Sequence, residues 1–200
     1  GGSNEMIMGA FKQAGIISVD SYQELVGVLK ALAWQPLTKN NRVGLCSNGA
    51  GPLVACLDYI EKIELRTIPL SSNKNKKIQK HFPANYFIGK SGNPIDFVGA
   101  SHGATSSDYD FIIKQFYDEK NIDIIMPWFA FQDNPLDENI VKILVNFSKK
   151  KKKPILVGCI GGSYTKKISK IIEEYQIPVY NDIRIWLRAA LALYRVGRFL

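Results

Sequence analysis

Cysteine, histidine and long apolar runs are scarce in this 200-residue chain, which holds three cysteines, two histidines and three methionines. Cys46, Cys56 and Cys159 match no zinc spacing, and with only His81 and His102 beside them a transition-metal site built from His and Cys is excluded. Their number is odd and each lies in or beside an apolar run, which predicts buried free thiols in a reducing compartment, the cytoplasm. No apolar run approaches the ~20 residues of a membrane span. The opening Gly1-Gly2-Ser3-Asn4-Glu5 has neither the basic nor the apolar stretch of a signal peptide. It also lacks an initiator Met, so we expect a piece of a longer chain. Both G-x-G-x-x-G and the Walker sequence are missing, which excludes the two commonest glycine loops for nucleotides.

What remains is an ordinary globular composition, 46% hydrophobic and 22% charged, with a net charge of +8. The positive excess is concentrated in Lys149 to Lys153 and in Lys74, Lys76, Lys77 and Lys80. No aromatic residues interleave with these lysines to stack bases, so a solvated surface is expected and nucleic acid is not.

Apolar spacing divides the chain into alternating elements. Helices are predicted over residues 4–14 and 21–33, the second capped by Asp20 or Ser21. Then come a strand at 43–47, a helix from Pro52 to Lys62, a strand at 65–69 and a polar helical stretch at 71–80. Residues 93–98 read as an extended or short-strand segment, and 107–117 as a helix capped by Ser106 or Ser107. Strands at 122–127, 154–159 and 178–180 alternate with helices at 135–150, 166–175 and 182–195. Such alternation predicts a flavodoxin-like three-layer α/β sandwich with a mostly parallel five-stranded sheet in the order 2-1-3-4-5. Residues 1–40 read as a helical lead-in from a preceding domain and 41–200 as the sheet domain.

Candidate chemistry lies in the loops after the strands. Ser47-Asn48-Gly49-Ala50-Gly51-Pro52 combines glycines with a helix start, and both an anion site and a plain strand-to-helix turn remain open. Asn93, Asp96, Gly99 and Ser101 belong to a second small-residue segment on the same sheet edge. His102, among flexible neighbours, is either an exposed loop histidine without a role or a candidate phosphoryl acceptor or general base, with no carboxylate in sequence to orient it. His81, beside Phe82 and Pro83, reads as structural. Gly161-Gly162-Ser163-Tyr164 and Gln132-Asp133-Asn134 complete the rim, the latter as turn residues.

Five segments, SNGAGPLVACLDYIE, GNPIDFVGAS, NIDIIMPWFAFQ, KPILVGCIGG and YQIPVYNDIRIWLRAALALYRVGRF, occur in the order seen in NDP-forming acyl-CoA synthetases. The chain resembles the flavodoxin-like domain of ADP-forming acetyl-CoA synthetases and, more loosely, the C-terminal domain of the succinyl-CoA synthetase β subunit. The resemblance implies a phosphoryl group passing from acyl phosphate to a histidine and then to ADP. CoA, ADP/ATP and magnesium would be handled by the CoA-binding and ATP-grasp partners of an oligomeric enzyme, with no cofactor held firmly by this domain. It implies a supporting role for Asn48 to Gly51 and Asn93 to Gly99, with the reacting histidine in a loop ahead of Gly1. His102 does not match that histidine, so catalysis is not carried over to it. Residues 130–134 lack the paired glycines of the succinyl-CoA relatives. Two other readings stay open: a regulatory module of a protein lysine acetyltransferase, and a nucleotide- or protein-binding module of flavodoxin-like shape.

Overall fold

The computed structural model describes residues 3–82, 92–97, 104–132 and 136–200. Two helices, α1 (Asn4–Gln13) and α2 (Tyr22–Trp34), precede strand β1 (Arg42–Ser47). There follow α3 (Ala50–Ile60), β2 (Arg66–Thr67), α4 (Ser72–His81), β3 (Ile95–Asp96) and α5 (Ser106–Asp118). The chain continues with β4 (Ile124–Ala130), α6 (Asn139–Ser148), β5 (Val157–Ile160), α7 (Ser163–Glu174), β6 (Val179–Tyr180) and α8 (Ile183–Phe199).

Among the described residues all the strand pairings are parallel, in the order β2-β1-β4-β5-β6. The expected order of five strands is therefore present, with one correction. Ile95–Asp96 is a sixth strand, and it pairs β1 on the side that β2 also occupies. β2 lies beside Arg42 and Val43 and β3 beside Cys46 and Ser47, so two short strands share one edge of β1. The central strands are buried on both faces, as expected where helices cover both sides.

One face is packed by α4, α5, α6 and α7 through Ile78, Ile112, Phe116, Ile140, Leu144 and Ile168. The other is packed by α2, α3 and α8 through Ala31, Leu53, Cys56, Trp186, Leu187 and Leu191. α2 is bound tightly into this layer. Arg188 Nε donates to Glu24 Oε1 at 2.6 Å and its Nη2 to Ser18 O, while the Tyr180 hydroxyl donates to Gly27 O. A Cβ on Gly27 would run into Ile185, so glycine sets the approach of α2 to α8.

Several boundaries differ from those expected. α5 is capped by Thr105, not Ser106 or Ser107, because Asp108 then stands at the third helical position and completes a capping box. α3 begins at Ala50, two residues before Pro52, so Pro52 is the third helical residue. α7 begins at Ser163, directly after the glycines, and α6 at Asn139. The three cysteines are buried and free, and burial pushes the Cys56 thiol up to about 12.

The lysine run is also corrected. Lys153 is buried, and its ammonium donates to the carbonyls of Phe116 and Glu119 at the C-terminus of α5. Lys151 donates to Trp34 O, and Lys150 and Lys152 lie over the Tyr117 ring. Burial outweighs the carboxylates near Lys153 and lowers its pKa to about 8 from an ordinary 10.5. Below pH 8 both folded and unfolded chains hold that proton. Between pH 8 and 10.5 only the unfolded chain does, so stability rises with pH in that window. Urea titrations should show the wild type gaining ~1–3 kcal/mol there relative to Lys153→Met. A parallel pH dependence in the two proteins would refute the assignment.

Packing of the central sheet makes a second demand. A Cβ on Gly158 of β5 would collide with the indole of Trp128 on β4, whose ring meets Trp186 edge-on at 5.2 Å. Gly158→Ala should cost ~1–3 kcal/mol by chemical denaturation and change the tryptophan emission.

Candidate functional site

Parallel strands bring all their carboxyl ends to one edge of the sheet. At β1 and β4 the winding reverses: α3 leaves β1 for one face, and α5 and α6 lie on the other. In open α/β sheets the crevice at this switch point is the usual ligand position. The Asn48-to-Gly51 loop enters it.

Asn48 is buried, and its amide is engaged with the protein itself. Nδ2 donates to Ala130 O at 3.0 Å, and Oδ1 accepts from Ala130 N–H at 2.8 Å. The side chain thus acts as one more peptide group in the β1–β4 ladder. The Tyr109 hydroxyl donates to Trp128 O at 2.9 Å and lies 3.1 Å from Asn48 Oδ1. Gly49 N–H donates to Ser47 Oγ at 2.9 Å, which tightens the turn.

Asn93 plays the matching part on the other side of β1. Its Oδ1 accepts from Leu45 N–H at 3.0 Å, while Nδ2 donates to Val43 O at 2.9 Å and Ile68 O at 3.1 Å. It fills the gap that β2 and β3 leave beside Gly44 and Leu45. Asp96, buried, is in register with Ser47, and Phe97 N–H donates to Ser47 O. Asn93 and Asn48 therefore position the loops with their amide groups. Gly99, Ser101 and His102 lie outside the described residues, as do Asp133 and Asn134.

What the loop presents outward is backbone. α3 starts at Gly49 with no side-chain cap, and Ala50 and Gly51 carry amides that the helix itself does not use. A Cβ on Gly51 would meet nothing within 4 Å, so the fold does not require glycine there. Two loops further along the rim are tied together by Gln132. With its amide turned to suit its neighbours it donates to Ile160 O and accepts from Gly162 N–H, both at 3.2 Å. Tyr109 and Thr165 were not singled out from sequence, and Gln132 was read only as a turn residue. Tyr109 sits on the apolar face of α5, and only its hydroxyl, buried among backbone acceptors, marks it out.

His81 is structural, as expected: its ring stacks on Phe111 with centroids 3.9 Å apart. A cavity of about 580 Å³ lies elsewhere, between α1 and α8, lined by Phe11, Lys12, Arg188, Arg195 and Phe199. Its cations Lys12 and Arg195 pair with Glu64, and Arg188 pairs with Glu24. Among the described residues no group of three His, Cys, Asp or Glu gathers to hold a metal, and no helix is long and apolar enough to cross a membrane.

Comparison with known proteins gives a consistent answer. No protein-family model matches the chain. It is 28% identical, over 98% of its length, to the α subunit of acetate–CoA ligase (ADP-forming) II of Pyrococcus furiosus, and covers 42% of that subunit. It is also 28% identical, over 97% of its length, to 4-hydroxybutyrate–CoA ligase (ADP-forming) of Nitrosopumilus maritimus, covering 27% of it. Among solved structures it superposes with a TM-score of 0.82 on a dinucleotide-forming acetyl-coenzyme A synthetase of Candidatus Korarchaeum cryptofilum, in complex with phosphate and ADP. Identity there is 25%, over 98% of this chain and 42% of that one. A Pyrococcus horikoshii OT3 structure, at 23% identity and a TM-score of 0.86, shares the fold. The resemblance to ADP-forming acyl-CoA synthetases holds along nearly the whole chain, which spans less than half the length of these relatives.

The two asparagines carry a direct test. Asn93→Ala should lower stability by ~2–4 kcal/mol, since it leaves Leu45 N–H and two carbonyls unpaired in the interior. Gly51→Ala, into open space, should leave stability unchanged or raise it by up to ~1 kcal/mol. Equal losses in the two variants, measured by urea unfolding, would contradict this division between framing and presenting residues.

Proposed function

We propose that this chain is the flavodoxin-like domain of an NDP-forming acyl-CoA synthetase, and that it supports phosphoryl transfer whose reacting histidine stands on another domain. The observation that carries the reading is the agreement in order along 98% of the chain with an ADP-forming acetate–CoA ligase subunit. The site geometry fits a supporting role. At the switch point the asparagine amides hold the protein's own backbone, while the start of α3 turns peptide N–H groups outward. Such dipoles stabilise phosphoryl charge without reacting.

In the whole enzyme the reaction is acyl-CoA + ADP + phosphate to acid + CoA + ATP. CoA and the nucleotide with its magnesium belong to the CoA-binding and ATP-grasp partners, and residues 1–40 lead in from the preceding domain. Gly51, at the mouth of the loop, faces the phosphoryl group during transfer. The enzyme works in the cytoplasm as an oligomer.

Two measurements check the proposal. The purified chain alone should form no ATP from acetyl-CoA, ADP and phosphate. Mixed with its CoA-binding, histidine-bearing and ATP-grasp partners, it should support turnover. Gly51→Asp, which adds a negative charge where a side chain has room, should then reduce turnover at least tenfold while folding normally. Turnover by the isolated chain, or by partners without this domain, would defeat the reading.

A further inference from the structure

The helix that follows β5 differs from α3 in one respect. Both begin at a glycine without a side-chain cap, Gly162 for α7 and Gly49 for α3. Only α7 brings a buried, unpartnered hydroxyl to its first turn. Thr165 is 4% exposed, and its Oγ1 has no hydrogen-bond partner. A buried hydroxyl left unpaired costs free energy, and such a group calls for an explanation.

Its surroundings supply one. Thr165 Oγ1 lies against Gly161, where a Cβ would collide with both that oxygen and the Gln132 amide. Gly161 holds a φ of 153°, a conformation that favours glycine. Gly162 beside it has nothing within 4 Å of where a Cβ would stand, so the turn is open from outside. The amides of Ser163, Tyr164 and Thr165 have no partner within the helix. Lys166 and Lys167 follow in the next residues, and Lys167 is exposed and shared with Glu138 at 3.0 Å. Donors therefore come together from two sources, helix amides and one hydroxyl, with Lys166 and Lys167 adding positive charge in the residues that follow.

We infer that the β5–α7 turn, Gly161 to Thr165, is an oxyanion seat for a tetrahedral phosphate or phosphoryl group, with Thr165 Oγ1 as its side-chain donor. This assignment rests on the synthetase reading only for the source of the group, which is either free phosphate or a phosphoryl carried on a histidine of another domain. The shared chemistry is a dianionic oxyanion received by peptide N–H groups at a helix N-terminus.

Amide NMR titration of the chain tests it. Inorganic phosphate should give saturable shifts centred on Ser163, Tyr164 and Thr165. Thr165→Val should weaken binding at least tenfold and Thr165→Ser by no more than twofold. Because the hydroxyl is unpartnered in the free protein, Thr165→Val should not lower the melting temperature. Shifts confined to α3 or spread over the surface lysines, or unchanged affinity in Thr165→Val, would overturn the assignment. A parallel titration with 3-phosphohistidine separates the sources. Tighter binding than phosphate assigns the seat to a carried phosphoryl, and weaker binding to free phosphate. A silent phosphate titration alongside working reconstituted turnover would remove this seat and leave the synthetase reading intact.

Discussion

The seam between β1 and β4 is the contact on which the rest of the rim depends. At its carboxyl end the chain leaves β1 outward toward β2 and leaves β4 in the opposite direction toward β5, so the two outgoing connections part there. Side chains close it instead. At the amino end Arg42 grips Asp123 with two nitrogens, Nε to Oδ2 at 2.5 Å and Nη2 to Oδ1 at 2.8 Å. Such a fork fixes direction as well as distance. At the carboxyl end the Asn48 amide extends the ladder by one rung to Ala130. Asn93 repeats this on the other flank of β1, where β2 stops before β3 begins. The first strand is thus held on both sides up to the residue where its loop departs. The position of the α3 N-terminus is fixed by these bonds and not by the loop's own glycines.

Helix capping divides the molecule along the same lines. α1, α2, α5 and α8 begin behind Ser3, Ser21, Thr105 and Asp182, each with a side-chain oxygen on an early amide. α3 and α7 begin behind glycines that supply none. Glycine at this position costs a helix only a few tenths of a kcal/mol relative to a good cap, so stability tolerates it. What glycine changes is access: the positive end of the helix dipole is neither neutralised by a side chain nor shielded by one. Both open ends belong to loops at the carboxyl edge of the sheet, where α/β proteins take their ligands.

Much of this was legible in the sequence, and the exceptions share a cause. An Ile-rich run at residues 122–127 and an apolar run at 154–159, with helical spacing between them, were enough for the parallel sheet and its order. Glycines at 49, 51, 161 and 162 marked the loops. What could not be read was the direction in which a polar side chain turns. Asn48 and Asn93, each beside a glycine, look like loop ligands, yet their partners are backbone groups up to 82 residues away. Lys153 ends a run of five lysines that reads as solvent-facing, but it alone reaches inward to end α5. Thr105 lost out to Ser106 and Ser107 because three adjacent hydroxyls can cap, and only the register of Asp108 decides among them.

The same accounting of polar groups, among the described residues, separates those that frame the rim from those that it presents. A reacting group needs freedom to change its bonding during turnover. The asparagine amides at the switch point are instead locked to peptide groups, and the three thiols are buried, with Cys46 and Cys56 pushed far above the range where a thiolate forms. Among the described rim residues, backbone N–H groups at helix starts are free to meet charge, and they stabilise without exchanging atoms. The relatives distribute this unit differently, as part of a separate α subunit in one and of a longer single chain in another. The stretch matched in both carries its own core in this chain, in two apolar layers closed by α2 and α8. The carboxyl rim of the sheet, where α3 and α7 begin behind glycines, is a surface that this core leaves free for contact.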